Sequence, residues 1–321
     1  MTPRFSLVIP LYKNEPNVGD LLSAVRSLSA SRPDMEAVFV VDGSPDATWQ
    51  LLRDSLPGEP FRSRLLLLSR NFGSFSAIRA GLKAAQGDYI AVMAADLQEP
   101  PELVDGFFRR LSADEADVTV GRRTGRADSW AQRQLSGLYW RLYRRFVVPD
   151  LPPGGVDIFG CTREVASEIL NMKESNTSLV ALLFWVGYRR MEIPYRRLPR
   201  RKGRSAWTLG KKLTYVLDSV FSFSDLPLLL LLWLGAASMA LVIGLSAVTL
   251  AAKAMGLIEV SGYTALILTI LFMFSFLILS QGILGCYLWR CFENTKGRPQ
   301  LIVRRDEAFA GRAPGDGGEA P

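Results

Sequence analysis

Three short polar clusters in the first hundred residues carry the groups that could do chemistry. Asp96-Leu97-Gln98-Glu99-Pro100-Pro101 sets a carboxylate and an amide two residues apart, just after an apolar run. Oxygens so spaced can hold a hard cation such as Mg²⁺ or Mn²⁺, which takes one or two protein oxygens and fills its other positions from phosphates. Asp42-Gly43-Ser44-Pro45-Asp46-Ala47-Thr48 and Tyr12-Lys13-Asn14-Glu15 also follow apolar runs. Singly, each acidic cluster reads equally well as a turn or a helix N-cap. Together, at the ends of neighbouring strands, they fit a nucleotide site. The chain has no histidine, which removes Ser-His-Asp and Cys-His catalysis, His-ligated zinc and a histidine pH switch. Cys161, Cys286 and Cys291 form no CxxC pair and read as reduced, packed thiols. Neither GxxxxGK[ST] nor GxGxxG occurs.

The elements that must position these clusters alternate. Phe5–Ile9 reads as a strand closed by Pro10, Val18–Leu28 as a helix, Glu36–Val41 as a second strand and Ala47–Leu56 as a helix. Arg64–Leu68 is a third strand, Ser74–Ala85 a helix stopped by Gly87, and Tyr89–Met93 a fourth strand. Pro101–Leu111 is helical and Asp117–Val120 a fifth strand. Such alternation predicts an α/β domain with a Rossmann-like, mostly parallel sheet, in which ligands bind beyond the carboxyl ends of the strands.

The remaining hydrophobicity lies late. Of 321 residues 49% are hydrophobic and mean hydropathy is +0.15, too apolar for disorder and high for a purely soluble enzyme. Leu226–Ala252 and Val260–Trp289 run 27 and 30 residues without a charge. As helices they would reach roughly 40 and 45 Å, against a hydrocarbon core of about 30 Å, and read as two transmembrane helices. The only charged residues in the loop 253–259 are Lys253 and Glu259, whereas ten basic residues stand from Arg189 to Lys212 and further ones follow Trp289. The positive-inside rule then puts both termini and the α/β domain in the cytoplasm, with the loop outside, in a multi-pass protein of the cell membrane. Residues 207–225 mix Trp207, Leu213, Leu217 and Phe221 with Lys211 and Lys212, the spacing of an amphipathic interface helix meeting anionic lipids, or of an ordinary packing helix. The expected domains are 1–206, the interface helix 207–225, the spans 226–252 and 260–289, and a tail over 290–321 that is basic and then disordered from Ala310.

Val8-Ile9-Pro10-Leu11-Tyr12, Val40–Asp46, Arg70-Asn71-Phe72-Gly73 with Ala80-Gly81, Gly87-Asp88 and Ala95–Glu102 occur in an order and spacing that resemble the family-two glycosyltransferases of the GT-A fold. Gly121-Arg122, Gly155–Phe159, Phe184–Tyr188, Ile193–Tyr195 and Phe221–Pro227 extend the resemblance to the polyprenyl-phosphate glycosyltransferases, the group of dolichol-phosphate mannose synthase and bactoprenol glucosyltransferase. The resemblance implies transfer of a sugar from a UDP- or GDP-linked donor to an undecaprenyl or dolichyl phosphate, with inversion at C1. The product would be a lipid-linked monosaccharide for cell-envelope glycan modification. It implies that Pro10, Tyr12, Glu15, Asp42 and Asp96 bind the nucleotide, that Asp96 and Gln98 hold Mg²⁺ or Mn²⁺, and that Arg122, Arg200, Arg204 and Ser205 meet acceptor or donor phosphates. Asp157 is the implied group at the reaction centre, with Asp96 the second catalytic residue. A homotetramer is implied as well; nucleic acid is not a partner. The chain departs from the family's pattern in four places: Val41 replaces a first acid before Asp42, Lys13-Asn14 precede Glu15, Ala94 replaces the first acid of Asp-x-Asp, and Ala206 follows Ser205 in place of Lys. One carboxylate is thus missing from the donor side and Lys13 adds positive charge. A degenerate member that binds nucleotide or a partner without turnover is the competing reading.

Overall fold

The computed structural model describes residues 3–124, 156, 158–172, 178–198, 226–256 and 262–311. The chain divides into two compact units, one of Met1–Leu213 with Arg298–Pro321 and one of Thr214–Gly297.

Among the described residues the first unit is built on one eight-stranded sheet. Its strands are β1 Phe5–Leu11, β2 Met35–Val41, β3 Arg62–Leu68, β4 Tyr89–Val92, β5 Val118–Arg123, β6 Phe159–Thr162, β7 Arg190–Tyr195 and β8 Val303–Phe309. They lie in the order β7-β5-β6-β4-β1-β2-β3-β8. The run β4-β1-β2-β3 is parallel, β6 is antiparallel to β4 and β5, β5 and β7 are parallel, and β8 is antiparallel to β3. Helices α1 Val18–Ser31, α2 Thr48–Ser55, α3 Ser74–Ala84 and α4 Pro101–Ser112 make the crossovers, and α5 Arg163–Asn171 and α6 Leu179–Trp185 follow β6. This is the expected α/β, mostly parallel architecture. Every residue of β2 is buried, as are Phe5–Ile9 of β1, which is why these strands read as continuous apolar runs rather than as alternating ones.

Two expectations change. Pro10 does not close the first strand, since β1 continues to Leu11 and Pro10 pairs in register with Val40. The carbonyl of Val8 accepts from Met93 on the β4 side, so Pro10, two residues on, presents its missing N–H to the same side. The pairing with β4 ends there, at Val92, while the β2 side, which Pro10 does not face, continues to Leu11. Residues 290–321 are also more than a tail. Val303–Phe309 returns to the sheet as β8, where Asp306 makes two bonds to Arg64 at 2.7 and 2.6 Å and Glu307 meets Arg53 at 3.0 Å. Residues 312–321 lie outside the described residues, as does the helix expected over 207–225.

In the second unit, α7 Leu226–Ala254 covers the first uncharged run and α8 Tyr263–Thr295 covers the second from Tyr263 onward, and large apolar side chains such as Trp233, Phe274 and Ile278 are exposed on them. Among the described residues one stretch, Phe272–Thr295, is long and apolar enough by itself to cross a membrane.

Helix α3 reaches the sheet through Gly81, where an added Cβ would stand 2.2 Å from Val8 Cγ1 and 3.3 Å from Val40 Cγ2. Both valines are fully buried in the central strands, so neither can give way. Gly81→Ala is therefore expected to cost ~1–3 kcal/mol by overpacking, read as a melting midpoint several degrees lower in detergent. An unchanged midpoint would mean that α3 is free to shift.

Candidate active site

The strand order assembles the clusters. From β1 the chain moves to β2 and β3 on one side and returns to β4 on the other. The order therefore reverses between β1 and β4, and crevices of this kind are where open α/β sheets bind ligands. Pro10–Tyr12 and Ala94–Asp96 lie on its two flanks, with the turn after β2 alongside.

The loops after β1 and β2 hold each other. Glu15 Oε2 accepts from the Ala47 N–H at 3.1 Å, and Asp46 Oδ2 accepts from the Glu15 N–H at 3.1 Å. Ser44 Oγ accepts from the Lys13 N–H at 2.7 Å and donates to Asp46 Oδ1 at 2.6 Å, while Thr48 Oγ1 accepts from Asn14. Burial works to raise the Asp46 pKa, but the bonds from Ser44, Thr48 and Glu15 outweigh it and hold this carboxyl below its ordinary value. Asp42 is buried, and its two oxygens accept from the Phe72 and Gly73 N–H groups at 2.7 and 2.8 Å, pinning the turn that opens α3. Gly43, at φ +55°, lets this turn approach; a Cβ there would stand 2.3 Å from the Arg70 carbonyl carbon.

Across the crevice, Asp96 is half-buried and its Oδ1 makes a long 3.4 Å contact with the Gln98 N–H. The Gln98 amide joins a segment a hundred residues away: its Oε1 accepts from Arg197 Nη2 at 2.8 Å and its Nε2 donates to the Leu198 carbonyl at 3.3 Å. The Leu198 N–H returns a bond to the Gln98 carbonyl at 2.8 Å. Glu99, 1% exposed, lies with Oε1 3.5 Å from Arg197 Nε. Lys13 and Leu97, at φ +55° and +52°, are two of three non-glycine residues in the left-handed region among the described residues. Each stands in a crevice loop, and strain of this kind collects at functional sites.

Asp96 and Gln98 offer hard oxygen donors, and one carboxylate meets the minimum for Mg²⁺ or Mn²⁺ when a diphosphate fills the other positions. The donor set therefore fits such a cation. Ala94 adds no oxygen, and among the described residues no group of three acidic, histidine or cysteine side chains gathers. Arg122, at the end of β5, makes an ion pair with Glu192 of β7 at 3.1 Å. Asp157, Arg200, Arg204 and Ser205 lie outside the described residues. Sequence alone placed Arg197 in a basic run and Ser44 in a polar cluster but gave neither its partner. Their partners sit 99 and 31 residues away, and no local pattern marks such pairs.

Residues 6–170 match Glycosyl transferase family 2. An uncharacterised glycosyltransferase of Synechocystis sp. is 31% identical over 94% of this chain and 95% of its own length. The bactoprenol glucosyl transferase of Shigella phage SfV is 29% identical over 95% of this chain and 99% of its own length. A mannosyltransferase from Pyrobaculum calidifontis, solved with GDP-Man and Mn²⁺, aligns over 88% of this chain and 86% of its own at 16% identity, with a TM-score of 0.47.

Because the folded Asp46 titrates below an unfolded aspartate, at about pH 3.9, its bonds stabilise the loops above that pH. The contribution is lost as pH falls through the lower, folded value. Asp46→Asn should therefore melt earlier than the parent at pH 7, with the deficit closing as pH is lowered below about 4. A deficit constant down to the acid limit would contradict the charged role.

Proposed function

The chain belongs to glycosyl transferase family 2 and is a glycosyltransferase, and on that footing we propose that it moves a sugar from a nucleotide donor to a polyprenyl phosphate at a membrane surface. The observation that carries the proposal is the convergence of the loops after β1, β2 and β4 on one crevice with Asp96 on its flank. Full-length similarity to a bactoprenol glucosyl transferase supports the lipid acceptor.

In this reading Pro10, Tyr12 and Glu15 line the nucleotide end. Asp42 acts from beneath, holding the 70–73 turn rather than reaching the base. Asp96 holds a divalent cation on the donor diphosphate, joined by Gln98 if its amide oxygen gives up Arg197. When bound, the cation would offset charge on the departing diphosphate. Arg122 would turn to phosphate by releasing Glu192, with Arg200, Arg204 and Ser205 as further phosphate contacts. The acceptor monophosphate is largely ionised near pH 7, with a second pKa of about 6, so its oxygen attacks C1 without a strong base. The C1–O bond to the diphosphate breaks, the nucleoside diphosphate leaves with the electron pair, and C1 inverts. Catalysis is then mainly positioning and charge stabilisation. Asp157 would orient the acceptor or steady the positive charge that develops at C1.

The helices Leu226–Ala254 and Tyr263–Thr295 would span the cell membrane with both chain ends in the cytoplasm. The acceptor's phosphate would then be met on the cytoplasmic side of the membrane.

Two substitutions test this reading. Asp96→Ala should abolish the stimulation of turnover by Mg²⁺ or Mn²⁺; an unchanged metal response would remove Asp96 from the metal. Asp157→Asn should lower turnover by more than about tenfold, in the range of lost positioning or charge stabilisation, while nucleotide affinity by calorimetry stays at the parent value. Near-parental turnover would remove Asp157 from the reaction centre.

A further inference from the structure

The contact between Gln98 and Arg197 has a consequence for metal binding. The Gln98 amide oxygen lies 2.8 Å from the Arg197 guanidinium. A divalent cation on that oxygen would stand within a few ångströms of a full positive charge, and the two repel. Arg197 has a second partner in place, the buried Glu99 carboxylate at 3.5 Å. It can therefore leave Gln98 without losing its counter-charge. Resting on the proposed function, we infer that Arg197 is a positioning residue that competes with the divalent metal for Gln98. With no metal, Arg197 bridges Gln98 and Glu99 and ties residues 197–198 to the 96–99 loop. With metal bound, Gln98 turns to the cation and Arg197 stays with Glu99 alone. Metal affinity and the hold on residues 197–198 are then linked, each weakening the other by the same factor.

The pairing also gives Ala94 a context. With one carboxylate on the donor side instead of two, metal occupancy depends more on the second oxygen, so a residue that withholds that oxygen has more control over it.

The test is Mn²⁺ binding to the purified full-length protein with UDP or with GDP, followed by the electron paramagnetic resonance signal of free Mn²⁺. Arg197→Ala, Gln98→Ala and the double variant are compared with the parent, and each is first checked for cooperative melting. Arg197→Ala should tighten Mn²⁺ by roughly fivefold or more and should have no such effect in the Gln98→Ala background. Unchanged or weaker Mn²⁺ binding in Arg197→Ala would overturn the competition, and so would equal tightening with and without Gln98, which is the mark of a general charge effect. If loss of the cation beside buried Glu99 unfolds Arg197→Ala, Arg197→Lys replaces it. A single ammonium that serves Glu99 gives up the planar fork that reaches Gln98, so Mn²⁺ should still tighten, and no change would count against the competition. A parent that transfers sugar but binds no Mn²⁺ with either nucleotide would overturn the metal assignment itself. A parent that binds Mn²⁺ while Arg197→Ala matches it overturns the competition alone.

Discussion

The site depends on the register of three buried parallel strands, β4, β1 and β2. Their central residues, among them Leu7, Val8, Val38 and Phe39, are closed to solvent on both faces. A slip of one residue would carry each side chain to the opposite face and force polar ends into the core. The carboxyl ends are therefore locked side by side, and whatever follows each strand is delivered to one edge. Gly81 takes part in the same constraint, since α3 can lie against Val8 and Val40 only where no Cβ intervenes.

On that edge the acids divide into two groups. Asp42, Asp46 and Glu15 hold backbone N–H groups of neighbouring loops, so their charge organises the crevice. The bonds from the Glu15 N–H to Asp46 and from the Ala47 N–H to Glu15 join the loops after β1 and β2 into one wall. Asp96 and Gln98 form the opposite wall, which is tied to the segment after β7 through Arg197 and Leu198. The two walls carry the left-handed residues Lys13 and Leu97, one each. A family-two transferase with Ala94 in the acidic motif thus retains a shaped crevice, with one carboxylate fewer on this wall than the family's pattern carries.

Much of the fold was legible from the chain because burial and turn chemistry act locally. The five strands through β5 and the four helices between them follow from apolar runs and from turns such as Asp42-Gly43, and their expected bounds fall within a few residues of those seen. The strand β8 was not legible. Val303–Phe309 carries four charges among seven residues, and only pairing with Arg53, Arg64 and the edge of β3 makes it a strand. Pro10 misled for a related reason, since it interrupts pairing on the β4 side alone and the β2 side carries the strand on to Leu11. At the site, the positions of the clusters were readable but the tasks of individual carboxylates were not. An aspartate that caps a turn and one that faces a ligand have the same local sequence, and contacts spanning thirty or a hundred residues tell them apart.

Sugar transfer to a lipid phosphate is tested most directly by one measurement. The detergent-purified protein is incubated with undecaprenyl phosphate and a panel of radiolabelled UDP- and GDP-sugars, with Mg²⁺, Mn²⁺ or EDTA, and label extracted into organic solvent is resolved on thin-layer plates. The account predicts a labelled lipid from one donor of the panel, formed with metal and lost with EDTA. No labelled lipid from any donor, with an authentic transferase active alongside, would contradict it.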